Sequence, residues 1–277
     1  MSVQWYPGHM TKAKRQIQKL INNVDAVLEL RDARIPISSS NPDIADILGG
    51  KPRIIVLNKI DLADNEINKE WLQYFEKQGI LSLLINCGKG QVSNKIKNRI
   101  QQYAGKFVRK SKITGKPMRV PRLLVVGIPN VGKSSLINAL AGRKAVRIGA
   151  KPGLTRGQQL INISGKFQIL DTPGVLWPKI NDQVAGIKLA ATGAISDVGF
   201  ALDELVLYVY NFLHSQGKIT LGLQEYLHEY ATKRGYLMSG NKLDIERAKR
   251  NITVEFKSGK YGRYSLETPA TVNQDEQ

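Results

Sequence analysis

The sequence predicts an α/β fold, a mostly parallel sheet with helices on both faces, followed by a small all-helical C-terminal domain. Three observations predict it. Short apolar runs alternate with stretches of helical periodicity through the first two thirds of the 277 residues, as strands joined by helices do. Two of these runs end directly in glycine- or asparagine-led loops, and open α/β sheets place their ligand loops at the carboxyl ends of strands. From Asp182 onward strand signals are sparse and apolar residues fall at helical spacing.

Trp5-Tyr6-Pro7-Gly8-His9-Met10 opens the chain, ahead of Thr11 as an N-cap and a basic helix with Ile17, Leu20 and Ile21 on one face. His9 stands on a Gly-flanked turn, where it is either a structural group or a candidate catalytic one. Val24 to Leu30 reads as a strand and leads into Arg31-Asp32-Ala33-Arg34-Ile35-Pro36. A serine-rich loop and a short helix near Ile44 to Leu48 follow. Arg53 to Leu57 is the second strand and runs straight into Asn58-Lys59-Ile60-Asp61. At a strand's carboxyl end, Asp61 would accept hydrogen bonds from the N1–H and 2-amino groups of guanine, which adenine does not offer. Asn58 and the stem of Lys59 would brace the loop and cover the base. N-K-x-D alone is a short pattern and needs its context.

That context comes next. A helix around Trp71, Leu72 and Phe75 precedes a third strand, Ile80 to Ile85, and then Asn86-Cys87-Gly88-Lys89. Backbone contact to a base is the expectation for Asn86 and Cys87. A helix from about Val92 to Tyr103 runs into a basic stretch reaching Arg122, read as a linker or arm. Leu123 to Val126 is a buried strand, followed by Gly127-Ile128-Pro129-Asn130-Val131-Gly132-Lys133-Ser134-Ser135 and a helix from Ser135 to Leu140. Strand, G-x-x-x-x-G-K-S, helix is a P-loop in its required context. Amides of Asn130, Val131, Gly132 and Ser135 would face phosphate oxygens at a helix N-terminus. Lys133 would reach the outer phosphates and Ser134 would ligate Mg²⁺. With N-K-x-D, the ligand is GTP.

Arg143 to Lys151 is basic and leads to Pro152-Gly153-Leu154-Thr155, whose threonine would close on Mg²⁺ and the γ-phosphate as a switch does. Gln158 to Ile163 and Phe167 to Leu170 read as a hairpin that ends in Asp171-Thr172-Pro173-Gly174. Asp171 would hold the Mg²⁺ shell through water, and the Gly174 amide would sense the γ-phosphate. Every part of a GTPase is present, yet the base-reading motif precedes the P-loop. The order is rotated, so the sheet domain is expected to be a circularly permuted P-loop GTPase domain, with Tyr103 to Arg122 joining the old termini. Expected boundaries are 1–178 for this domain, 179–267 for a helical RNA- or ribosome-binding domain and 268–277 for a disordered tail.

The formal net charge is +18, and its placement says more than its size. No Asp or Glu stands between Glu76 and Asp171, where 19 Lys and Arg lie, while the rest of the chain holds 22 basic and 23 acidic side chains. A concentrated block fits a polyanionic partner, nucleic acid above all. Helices are expected at Val184 to Ala191, Leu202 to Leu213, Leu223 to Tyr230 and Lys242 to Lys249. Tyr236, Phe256, Tyr261 and Tyr264 interleave with basic residues there, as RNA-stacking aromatics or as core. One cysteine, Cys87, leaves no intrachain disulfide. No apolar run approaches a membrane span and the first residues lack a signal-peptide pattern, so a cytoplasmic protein is expected.

Over its whole length the chain resembles the circularly permuted GTPases of the ribosome biogenesis GTPase A family. The resemblance rests on Trp5 to Met10, Asp32 to Pro36 (D-A-R-I-P), Asn58 to Asp61, Gly127 to Ser135, Pro152 to Thr155 and Asp171 to Gly174. It implies GTP hydrolysis coupled to late assembly of the large ribosomal subunit or its precursor, with the helical domain on rRNA. Val175 stands where Ras-like enzymes place a water-orienting glutamine, which implies intrinsic turnover on the order of 10⁻³ s⁻¹ or below. Asn130 matches the asparagine that similar enzymes use to hold K⁺ near the β- and γ-phosphates, and His9 becomes a candidate water-positioning group. An RNA scaffold that senses GTP without turnover is the competing reading. N-K-x-D and D-T-P-G argue against a small-molecule P-loop kinase.

Overall fold

The computed structural model describes residues 18–42, 44–90, 92–110, 115, 117–146, 160–170, 182–195 and 201–275. They divide into two compact units. One spans Ile180–Arg263, and the other joins the described residues up to Lys179 with Tyr264–Gln277.

The larger unit is built on a six-stranded sheet in the order β3-β2-β1-β4-β6-β5. After helical residues 18–21 (α1) come β1 (Ala26–Asp32), α2 (Ile44–Leu48), β2 (Arg53–Asn58), α3 (Asn65–Lys77), β3 (Leu81–Leu84), α4 (Asn94–Gly105), β4 (Arg122–Val126), α5 (Lys133–Ala141), β5 (Leu160–Ile163) and β6 (Phe167–Leu170). All pairs are parallel except the edge hairpin β5–β6. β1 is buried along its whole length, as a central strand covered on both faces must be. It continues through Asp32, two residues past the expected end. The charged pair Glu29 and Arg31 is tolerated inside because the two side chains bond each other at 2.7 Å, with Ser40 Oγ donating to Glu29 and Arg53 at 3.3 Å. Burial pushes the Glu29 carboxyl up, and the two arginines more than offset it, leaving it below the usual range.

Two apolar clusters brace this sheet. Leu20, Ile21, Val24, Val27, Ile47 and Leu124 belong to one, so the described end of the first helix docks through Leu20 and Ile21, while Ile17 of the expected face lies outside the described residues. Trp71 and Phe75 of α3, stacked at 5.6 Å, lead the other with Ile55, Leu57 and Ala63. Asp64 caps α3 by accepting from the Glu66 and Ile67 amides. The joining segment after α4 folds back on itself, with Lys110 bridged to Pro117 and the Met118 amide bonded to the Arg109 carbonyl.

The last residues are a correction. The sequence reading placed 264–267 with the helical domain and 268–277 in a disordered tail. Tyr264–Gln277 instead belongs to the sheet unit, and Pro269–Asp275 is helical (α10). The reason is burial: Glu267 is 3% exposed, its carboxylate accepts the Ile37 and Ser38 amides, and its carbonyl accepts the Trp71 indole N–H at 3.2 Å.

The helical unit contains α6 (Gln183–Ala191), α7 (Leu202–Ser215), α8 (Leu223–Lys233) and α9 (Ile245–Ser258). α9 begins three residues later and ends nine later than the expected Lys242 to Lys249. Asp244 caps it by accepting from the Arg247 amide, and Gly259 closes it in the left-handed region at φ 80°. Leu237 pairs with Leu243 in a short bridge just before. The interleaved aromatics resolve mostly as packing. Phe256 is fully buried against Phe212, Tyr261 bonds Tyr226 at 2.8 Å, and Tyr264 is buried in the sheet unit. Tyr236 is part-exposed, with the Arg247 guanidinium 4.4 Å over its ring.

Candidate functional site

Four strands carry the candidate site at one edge of the sheet. Asp32 at the end of β1 is in register with Asn58 at the end of β2, Leu57 with Leu84 of β3, and Glu29 with Val126 of β4. The loops that follow these strands therefore leave from the same carboxyl edge, where an open α/β sheet binds its ligand.

The loop after β4 depends on glycine twice. Gly127 adopts φ 151°, and a Cβ there would lie 2.5 Å from the Leu30 carbonyl oxygen of the neighbouring strand. Gly132 adopts φ 105°, and its Cβ would lie 2.5 Å from Asn58 Nδ2. Between them Asn130 holds φ 53°, a left-handed conformation that asparagine accepts more readily than most residues. α5 then starts at Lys133, with Gly132 as its cap and the Leu136 amide returning to the Gly132 carbonyl at 2.8 Å. Its first-turn amides, including those of Ser134 and Ser135, point out of the helix N-terminus, the geometry of an anion site. Lys133 Nζ donates to the Gly127 and Ile128 carbonyls at 2.8 and 2.7 Å. Burial pushes this ammonium down to about 8, so it is still mostly charged at neutral pH. An arriving phosphate would replace two neutral acceptors with a charge-assisted partner.

Asn58 joins the loops. Its Nδ2 donates to the Val131 carbonyl at 2.8 Å and its Oδ1 accepts the Cys87 amide at 3.0 Å. One buried amide thus links residues that lie far apart in the chain, in the phosphate loop and in the loop after β3. Asn86 turns its side chain to its own loop, accepting the Gly88 amide. Cys87 is buried, and burial followed by the charge of Asp61 pushes its thiol up to about 12, so it stays protonated. Asp61 is exposed, three residues beyond Asn58.

Lys59 was missed as a constrained residue. It holds φ 61°, and its ammonium meets Asp32 Oδ2 at 2.9 Å. Asp32 is fully buried and also takes the Arg34 guanidinium at 2.9 and 3.1 Å and the Arg34 amide at 3.1 Å. Burial acts to raise the Asp32 carboxyl, but Arg34 and Lys59 prevail and hold it below the usual range. The available sequence signal was a carboxylate, Asp32, two residues past the expected end of the first strand. Of the expected site residues, His9, Thr155, Asp171 and Gly174 lie outside the described residues.

No helix among the described residues is long and apolar enough to cross a membrane. A family model described as a 50S ribosome-binding GTPase matches residues 122–242, beginning at β4 and so taking in the phosphate loop but not the base loop. A ribosome biogenesis GTPase A from Bacillus licheniformis is 42% identical, covering 97% of this chain and 99% of its own. Among solved structures, the GNP-bound YlqF from T. maritima has a TM-score of 0.70 at 33% identity, covering 93% of this chain and 98% of its own. The GDP-bound YlqF has a TM-score of 0.70 at 31% identity, with 92% and 100% covered. Matched over 97% of its length at 42% identity and carrying Asn58-Lys59-Ile60-Asp61 ahead of the glycine-rich loop after β4, the chain belongs to the ribosome biogenesis GTPase A family.

Proposed function

We propose that this protein binds and hydrolyses GTP to assist late assembly of the large ribosomal subunit, engaging rRNA and pre-ribosomal particles in the GTP state and leaving on hydrolysis. The observation that carries the nucleotide part is the Asn58 amide, bonded at once to Val131 and Cys87. These two bonds tie together three segments that lie far apart in the chain, which supports reading them as one site. In this reading Asp61 selects guanine, Asn58, Lys59, Asn86 and Cys87 shape the base pocket, and Lys133 with the amides of Asn130 to Ser135 holds the phosphates. Thr155 and Gly174 complete the γ-phosphate contacts. The donor set of Ser134, Thr155 and Asp171 is all oxygen, which fits Mg²⁺. Bound there, the ion would neutralise charge building between the β- and γ-phosphates. Asn130 would lend its side chain to K⁺.

The ribosomal part is supported by the names of the relatives and by the basic block around the phosphate loop, whose 19 cations far exceed what one nucleotide needs. Val175 itself offers the attacking water no hydrogen bond, so intrinsic turnover is slow and the ribosomal particle stimulates it. His9 is the water-positioning group in this proposal. Imidazole hydrogen-bonds water in either neutral tautomer, so no pKa shift is required. His9→Ala should lower particle-stimulated kcat roughly 10-fold or more and leave GTP affinity nearly unchanged, the pattern of an interaction made only in the transition state. GTP affinity and stimulated turnover measured on the same variant decide it. Normal turnover would return His9 to a structural role.

A further inference from the structure

The C-terminal residues that rejoin the sheet unit do so at the base loop and at the loop behind it. The Tyr264 amide donates to the Leu62 carbonyl at 3.0 Å, and Ser265 Oγ accepts the Asp64 amide at 3.3 Å. Both acceptor and donor lie in the connection from Asn58 to α3. The Leu266 amide donates to the Arg34 carbonyl at 2.8 Å. The Tyr264 phenol hydrogen-bonds the Arg34 guanidinium. Glu267 fastens the far side by accepting the Ile37 and Ser38 amides and the Ser38 hydroxyl. Arg34 in turn grips Asp32, and Asp32 grips the Lys59 ammonium.

This is more than a tie for the chain end. Lys59 is pinned at both ends, by its left-handed backbone and by a fully buried carboxylate. A four-carbon stem held this way loses the rotamer freedom that it would otherwise give up when a ligand binds. We infer that Tyr264–Glu267 is a positioning strap for guanine binding: it fixes Arg34, Arg34 fixes Asp32, and Asp32 fixes Lys59 against the base. Asp32, Arg34 and Tyr264 are positioning residues in this chain, since none needs to touch the nucleotide. The inference rests on Lys59 lying in the base pocket.

Uniform binding of the guanine moiety is the quantity at stake, so GDP and a non-hydrolysable GTP analogue should respond alike and kcat should not. Tyr264→Phe keeps the ring and removes the phenol. Measured with a fluorescent GDP and the matching GTP analogue, it should release both about 5-fold faster, and kcat at saturating GTP should hold. Lys59→Met should weaken both ligands at least as much. The double variant should match Lys59→Met alone, because the strap acts through that side chain. Unchanged release rates in Tyr264→Phe, or losses that add in the double variant, overturn the inference. Exchanging the base preference through Asp61 separates the two layers. If Asp61→Asn fails to switch the base, the pocket reading and this inference fall together; if it switches while Tyr264→Phe releases nucleotide normally, the strap inference alone falls.

Discussion

Asp61→Asn should exchange the base preference, lowering GTP affinity by on the order of 10⁴ while XTP becomes the better ligand. The carboxylate accepts from both guanine donors; the amide offers one acceptor and one donor, which suits the 2-oxo group of xanthine. The lower end of the range for polar recognition applies because Asp61 is exposed in the free protein, so losing its partner strands no buried charge. For the same reason the fold should be indifferent, and the melting temperature should move little. Competition of GTP and XTP against fluorescent GDP is the check. A variant that still prefers GTP would remove Asp61 from the base pocket.

Gly132→Ala should cost about 100-fold or more in affinity for every guanine nucleotide. The added Cβ meets Asn58 Nδ2 at 2.5 Å, and the backbone stands at φ 105°, where alanine is strained. Relief requires the Asn58 amide to move, which breaks its bond to the Val131 carbonyl. A buried polar group left unsatisfied costs about 1–3 kcal/mol, and a 100-fold loss corresponds to about 2.7 kcal/mol. Gly142→Ala is the matched control. Gly142 also has a left-handed φ, of 67°, but a Cβ there meets nothing within 4 Å. It should share the strain and spare nucleotide binding, as titration of both variants with fluorescent GDP would reveal. Equal affinities in the two variants would contradict the bridging role given to Asn58.

The strands and the motifs at their ends were legible because they are local. Val125 and Val126 before Gly127, or Leu57 before Asn58, announce a buried strand meeting a ligand loop within a few residues. What was not legible depends on pairings and burial that residue types alone do not reveal. β1 looked finished at Leu30 because Arg31 and Asp32 are charged; their partners Glu29 and Arg34 stand two residues away, but only the fold shows that these pairs are buried. Residues 264–267 looked like the end of the helical domain because Glu267 shows only its charge in sequence, not the two amides and the indole N–H that meet it across more than 190 positions. α9 was placed too early because Leu243 reads equally well as helix, and only Asp244's bond to the Arg247 amide marks the start. Asn58 was assigned as a brace for its own loop; its reach to Val131 and Cys87 needed the sheet register to appear.

The claim that joins nucleotide to ribosome is tested most directly by co-sedimentation with large ribosomal subunits in the presence of a non-hydrolysable GTP analogue or of GDP. The account predicts that the protein travels with the particle under the analogue and stays in the supernatant under GDP. Equal partition under the two nucleotides would contradict it.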